Sequence, residues 1–206
     1  MAFLDLLRQL LKHTEESAQA TAQRAEGLRA QLQADPNDVE AFEELAQLVR
    51  DMDRQSEPVD PLTADTSSRI PITADLALWA LAEEIGASPH AWYPLVELAR
   101  LSVDSDREGA LRRVSVAADR DPTGKALAAG IRVLRDADLP HDALNLGLGR
   151  WRPGTQVFEA GEQVVRAAIE SGHVAEASAY LSELTLEGHE GEVASLEEAI
   201  RSAKEN

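Results

Sequence analysis

Apolar residues recur every three or four positions along most of the chain, which is the spacing of one face of an α-helix. Residues 91–122 show this pattern most clearly: they predict one helix, a tight turn over residues 104–106, and a second helix that stops at Asp121 and Pro122. A proline fixes its own φ and disfavours helical geometry in the residue before it, so it marks a helix end. The pattern therefore predicts an all-α protein.

The same periodicity predicts ten helices along the whole chain. They cover residues 2–34, 39–52, 73–84, 90–103, 107–120, 125–137, 141–150, 157–171, 174–186 and 190–204. Asn37, with Glu40 three residues later, is similar to a capping box and predicts the start of the second helix. Residues 54–72 break the pattern with three prolines and a run of Thr, Asp and Ser, which predicts an inserted loop that is either functional or disordered.

A small residue recurs at a nearly constant interval. The intervals between four alanines are 33, 33 and 34 residues, and each alanine follows a turn. These landmark alanines are Ala77, Ala110, Ala143 and Ala177. Prolines give a second period, because Pro89 and Pro122 are also 33 residues apart. Near-equal spacing of this kind indicates helix pairs that repeat, with a small residue where the second helix of each pair packs closely on the first.

One unit resembles a tetratricopeptide repeat (TPR): Trp92 and Tyr93 near the start of its first helix, Ala110 near the start of its second, and the closing Asp121 and Pro122. The resemblance covers nearly all of the chain after about residue 36. It implies a TPR-like right-handed α-solenoid of about four helix pairs, in which the first helices line a concave face. A long N-terminal helix in residues 1–35 would precede this repeat domain of residues 36–206, and a capping helix over residues 190–204 would close it.

The N-terminal helix carries an apolar tip. Phe3, Leu7, Leu10 and Leu11, with their neighbours, nearly encircle the helix, so they should bury against this chain, a second copy or a partner. Two interpretations stay open: the helix packs on the first repeat, or its tip is a docking interface.

Composition excludes several classes of function. The net charge of -17 disfavours nucleic acid and anionic membranes as the main partner. The absence of cysteine excludes disulfides and thiol catalysis and makes the cytoplasm the expected compartment. No apolar run approaches the roughly 20 residues of a membrane span.

No residue pattern predicts an enzyme. The five histidines are scattered, and none has the spacing of a metal site. The Gly124 and Lys125 pair lacks the upstream glycine and the preceding strand of a phosphate loop. We expect no catalytic residue, no metal ion and no cofactor.

One set of charged residues does predict a binding site. Arg132 lies 11 residues before Ala143, Arg166 lies 11 before Ala177, and Arg100 lies 10 before Ala110. The TPR resemblance implies that such equivalent positions, on successive first helices, form a ladder of guanidinium groups in the concave groove.

Two further cations, Lys125 and Arg135, lie within about 80° of Arg132 around its helix and would widen the patch. Arginine grips carboxylates bidentately, so the expected ligand is an acidic or C-terminal protein segment. The alternative is that each arginine pairs with acidic neighbours, and such pairs contribute little to stability.

The sequence thus predicts a non-enzymatic cytoplasmic adaptor that binds a protein or peptide in the concave groove. The alternative function is structural self-assembly, with a homodimer formed through the N-terminal helix.

Overall fold

The computed structural model describes residue 3 and residues 15–55, 73–184 and 187–205 of the chain. These residues form ten α-helices and no strand, which confirms the all-α prediction for this part of the molecule. None of the described helices is long and apolar enough to cross a membrane. The helices are α1 (Glu15–Ala34), α2 (Val39–Gln55), α3 (Ala74–Gly86), α4 (Tyr93–Ser102), α5 (Arg107–Arg120), α6 (Lys125–Asp136), α7 (Pro140–Arg150), α8 (Phe158–Glu170), α9 (Val174–Ser182) and α10 (Glu190–Glu205).

The chain divides into two compact units, Met1–Pro94 and Leu95–Asn206. Helix α1 belongs to the same unit as α2 and α3. The predicted boundary after residue 35 divides the chain by repeat content instead, and it stays a prediction.

In the first unit α1 packs on α2, and α2 packs on α3. The apolar stripe of α2 is fully buried through Leu45 and Val49, and the ring of Phe42 meets Tyr93 edge to face at 5.4 Å. Arg29 of α1 donates from Nε to Glu84 of α3 at 2.9 Å. An apolar core and an interhelical ion pair therefore hold this three-helix arrangement.

The start of α2 differs from the prediction. Asp38, rather than Asn37, caps the helix, since its Oδ1 accepts the Ala41 N–H at 3.0 Å. The Asn37 side chain instead accepts the N–H groups of Trp92 and Tyr93 at 2.7 and 3.1 Å. Asn37 therefore satisfies the exposed donors at the start of α4, 55 residues away, which a local capping pattern does not reveal.

Three helix ends differ from the predicted ones by three or four residues. Helix α2 continues to Gln55, so the first two residues of the predicted loop are helical, and residues 56–72 lie outside the described part. Helix α4 begins at Tyr93 rather than at residue 90, because residues 88–91 form a turn closed by the Ala91 N–H on the Ser88 carbonyl at 3.1 Å. Helix α9 ends at Ser182, four residues before its predicted end.

In the second unit each helix from α5 to α10 packs on the next one. Three pairs of helices that are next but one in sequence are also in contact: α5 with α7, α6 with α8, and α8 with α10. Arg107 at the start of α5 bonds Asp142 near the start of α7, and Asp119 near the end of α5 bonds Arg150 at the end of α7. Helices α5 and α7 therefore run parallel.

The same reasoning applies to α6 and α8. The Val157 N–H, just before α8, donates to the Thr123 carbonyl, just before α6, at 2.9 Å. At the other end, Arg135 of α6 donates to Glu170 of α8 at 2.7 Å. The starts of the two helices are in contact and so are their ends, so α6 and α8 also run parallel.

The landmark alanines share one position in four helices. Each is fully buried, and each is the fourth residue of its helix. Each N–H donates to the carbonyl of the residue that precedes its helix, and these bonds measure 2.9–3.2 Å. The members are Ala77 in α3, Ala110 in α5, Ala143 in α7 and Ala177 in α9. The regular spacing in sequence therefore corresponds to a common helix start.

Candidate functional site

The three arginines of the predicted ladder lie in the second halves of α4, α6 and α8. Arg100 is the eighth residue of α4, and 45% of its side chain is exposed. Its Nε donates to Glu97, one turn earlier, at 3.2 Å. This ladder arginine therefore already has a carboxylate partner on its own helix.

Arg166 has a similar environment on α8. Its side chain is 31% exposed, and its Nε and Nη2 bond the Glu162 carboxylate at 2.9 and 2.8 Å. Glu162 itself is only 15% exposed. The bonds of this pair are thus shorter than the 3.2 Å bond of the pair on α4.

Arg132 is the most exposed of the three. Its side chain is 70% exposed, and its contact with Asp136 measures 4.0 Å, which is too long for a hydrogen bond. Lys125 is exposed at the first position of the same helix. Helix α6 therefore presents two solvated cations.

Arg135, the fifth cation of the predicted site, bridges α6 to α8. Its side chain is 15% exposed; Nε and Nη2 bond the Glu170 carboxylate, and Nη1 bonds the Gln163 amide oxygen. All three guanidinium nitrogens therefore have partners within the chain. This side chain joins two helices, and its part in a ligand surface stays a prediction.

The Arg135 bridge makes a stability prediction. Replacing Arg135 with Gln should destabilise the protein by about 1–2 kcal/mol, because charge-assisted hydrogen bonds are lost but Glu170 remains solvated. A double-mutant cycle with Glu170→Gln, followed by urea unfolding, should give a coupling energy above about 0.5 kcal/mol. Additive effects would show that the bridge contributes nothing.

The partners of the ladder are carboxylates three or four residues away on the same helix. This is the pairing that the alternative interpretation predicted. The i,i+3 and i,i+4 spacings were visible in the sequence, because residues so placed are neighbours on a helix surface. Exposed pairs contribute about 0–1 kcal/mol, so a ligand carboxylate can most readily exchange with the pair of Arg132 and Asp136, whose side chains are both exposed.

The predicted N-terminal interface is described only at one residue. Phe3 is helical and fully buried within the chain, whereas Leu7, Leu10 and Leu11 lie outside the described residues. Burial of Phe3 within its own chain fits the interpretation in which the tip packs intramolecularly. Self-association through the tip stays a prediction.

A cavity of about 260 Å³ lies in the second unit, near the starts of α8 and α10. Its apolar lining includes Trp151, Val157, Phe158 and Leu184, and its polar lining includes Glu183 and Glu187. Sequence reasoning missed this cavity. Trp151 followed by Pro153 and Gly154 was a local signal, since a large aromatic residue beside a turn suits a binding site on a loop.

The cavity depends on close packing at Gly161 of α8. A Cβ at Gly161 would lie 2.2 Å from Leu184 Cδ2 and 2.8 Å from Trp151 Cζ2. Only a glycine lets both lining side chains sit against the α8 backbone. His189 stacks on Phe158 with 4.0 Å between ring centroids and 4° between planes, which holds the turn before α10 against α8.

Titratable groups elsewhere in the described residues do not assemble a metal site. His141 and His173 meet edge to face at 6.0 Å, but no group of three or more potential ligands forms in the described part of the chain. The pKa of the exposed Glu190 carboxyl is lowered, because its own backbone N–H and that of Gly188 bond it at the start of α10.

Neither a protein-family model, nor a curated protein, nor a solved structure matches this chain. The described residues define an all-helical protein with two compact units.

Proposed function

We propose that the protein is a non-enzymatic adaptor whose helices form a TPR-like right-handed α-solenoid. Its ligand is an acidic segment of a partner protein, and the segment binds across Arg132 and Arg166. The observation that carries the proposal is the exposure of Arg132, 70% of whose side chain lies in solvent with no carboxylate in hydrogen-bond range among the described residues.

The contacts of the second unit support a stacked arrangement of helix pairs. In such a stack each helix packs on the next, and helices one repeat apart run parallel and touch. Helices α5 and α7, and α6 and α8, meet both requirements. The common position of the landmark alanines is what four repeats of one helix pair require.

The bridge between α6 and α8 supports a shared surface for the two arginines. Arg135 marks the contact line on α6, and Gln163 and Glu170 mark it on α8. Arg132 lies three residues before Arg135, so its side chain is rotated around α6 by about 60° from the line of contact with α8. Arg166 lies between Gln163 and Glu170 in sequence, and its side chain is rotated around α8 by a similar angle in the opposite direction. Opposite rotations on two parallel helices place both side chains on one side of the pair.

The chemistry of that side favours a carboxylate ligand. The side chains of Arg132 and Arg166 bring two guanidinium groups to an otherwise acidic protein of net charge -17. Two guanidinium groups about one repeat apart suit two carboxylates of an extended segment better than one isolated anion. The Asp136 and Glu162 carboxylates then act as internal competitors that the ligand displaces.

Fluorescence anisotropy with a labelled hexaglutamate peptide tests this proposal. Changing Arg132 and Arg166 together to Gln should weaken binding at least tenfold, since a charge-assisted hydrogen bond is worth about 1.5–3 kcal/mol. Binding by the unchanged protein should also weaken as salt rises, because exposed charges are screened over about 8–10 Å at physiological ionic strength.

The matched control changes Arg112 and Arg201 to Gln. These side chains are 70% and 64% exposed, each pairs with a glutamate on its own helix, and their loss changes the net charge equally. Equal weakening by both double variants would show a non-specific charge effect and overturn the proposal. Melting temperatures should stay within a few degrees of the unchanged protein, because surface substitutions rarely exceed about 0.5 kcal/mol.

A further inference from the structure

The cavity beside Trp151 combines aromatic walls with carboxylates. Trp151 is 9% exposed and Leu184 is 8% exposed, so these two buried side chains form an apolar part of its lining. Glu183 and Glu187, by contrast, are exposed residues at the end of α9 and before α10. A ligand in this cavity would meet the Trp151 indole and the Phe158 ring, one face of which stacks on His189, on one side and negative charge on the other.

The two carboxylates have no partner in the described part of the chain. Neither the Glu183 nor the Glu187 side chain makes a hydrogen bond or an ion pair there, and the residues that line the cavity include no Lys or Arg. Arg152, which follows Trp151 in sequence, turns its Nη1 to the Trp151 carbonyl at 2.9 Å. Both carboxylates are therefore available to a cation from outside the chain.

The size of the cavity limits its occupant. Pockets for cofactors and drug-sized ligands measure about 300–1,000 Å³. A cavity of about 260 Å³ falls below that range and suits one side chain. Planar cations stack on tryptophan and fork onto carboxylates, and arginine does this more often than lysine.

We propose that this cavity binds the side chain of an arginine presented by a partner protein. The guanidinium lies between the aromatic wall formed by Trp151 and Phe158 and the carboxylates of Glu183 and Glu187. The site is separate from the arginine ladder and has the opposite charge preference. It does not depend on whether the acidic-segment proposal holds.

Proton–nitrogen NMR of the full chain tests the proposal directly. The chain contains three tryptophans, so the indole N–H of Trp151 reports on the cavity while Trp79 and Trp92 serve as internal references. The probe is Nα-acetyl-arginine amide, and its matched control is the citrulline analogue, which has nearly the same shape but no charge. We expect a saturable shift of the Trp151 signal with the arginine probe and at least a tenfold weaker response to citrulline.

A pair of charge-matched variants isolates the carboxylates. Glu183→Gln with Glu187→Gln should weaken arginine binding at least tenfold, whereas Glu197→Gln with Glu198→Gln on α10 should leave it within twofold. Equal response to arginine and citrulline, equal loss in both double variants, or no shift of Trp151 would each overturn the proposal. A lysine probe that binds as tightly as arginine would overturn the assignment to a guanidinium.

Discussion

Replacing Gly147 with Ala should destabilise the protein, although alanine is the better helix former. Gly147 is buried in α7, where an added Cβ would lie 2.6 Å from Val164 Cγ2 of α8 and 3.2 Å from Ile131 Cδ1 of α6. Both neighbours are fully buried and cannot move into open space. Overpacking of this kind costs about 1–3 kcal/mol, which exceeds the helix-propensity gain of at most about 1 kcal/mol.

The matched control lies two residues further along the same helix. Gly149 is exposed and has nothing within 4 Å of an added Cβ, so Gly149→Ala should stabilise the protein by up to about 1 kcal/mol. Urea unfolding of both variants should move the midpoints in opposite directions at an unchanged m-value. Destabilisation by both substitutions would contradict the packing argument, because it would point to a general intolerance of alanine in α7.

A second variant locates the clash. In the Gly147→Ala background, Val164→Ala should cost less than it costs alone, since it removes the methyl group that the new Cβ meets. The two sites should therefore show a coupling energy of about 0.5 kcal/mol or more.

Helix positions were predictable because periodicity is a local property. The landmark alanines illustrate this: each small residue appears in sequence at the start of an apolar stripe, and each is a buried fourth residue of its helix. The start and end of α5 agree with the prediction at both residues, since Asp106 and Asp121 bound it in sequence.

Features that depend on residues distant in sequence were not predictable, because the apolar stripe of each helix was interpreted separately. The capping pattern places Asn37 at the start of α2, but its side chain satisfies the start of α4, because a side chain bonds whichever donors the tertiary structure brings near. Sequence spacing places Arg135 beside Arg132 but does not reveal its bond to Glu170, 35 residues away. In both cases a long-range contact adds to or replaces what the local pattern predicts.

The cavity shows the same limit for binding sites. Trp151 and Leu184 are brought together over Gly161, and the closeness of that approach depends on the crossing of α8 with its neighbours. Hydrophobic periodicity places these residues on helix faces or at helix ends. It does not specify that a glycine must lie at the point where these two large side chains meet the backbone of α8.

The Asp121 carboxylate should be among the most stabilising polar groups of the second unit. It is 5% exposed; Oδ1 accepts the Thr123 N–H and hydroxyl at 3.0 and 2.6 Å, and Oδ2 accepts the Ala126 N–H at 2.7 Å. Gly124, which precedes α6, has no side chain to cap the helix, so Asp121 supplies the missing acceptor from three residues earlier. The same i,i+2 bond recurs before Pro36, where Asp35 Oδ1 accepts the Asn37 N–H at 2.9 Å.

Asp121→Ala should therefore destabilise the protein by about 2–3 kcal/mol, because a charged acceptor is lost and the buried Ala126 N–H is left without a partner. Asp121→Asn should cost less, since its carbonyl oxygen can still accept from Thr123 while its amide cannot accept from Ala126. Asp119→Ala is the control: that side chain is 62% exposed and pairs with Arg150, so its loss should cost at most about 1 kcal/mol. Chemical unfolding ranks the three variants, and equal losses for Asp121→Ala and Asp119→Ala would show that the buried carboxylate does not hold the start of α6.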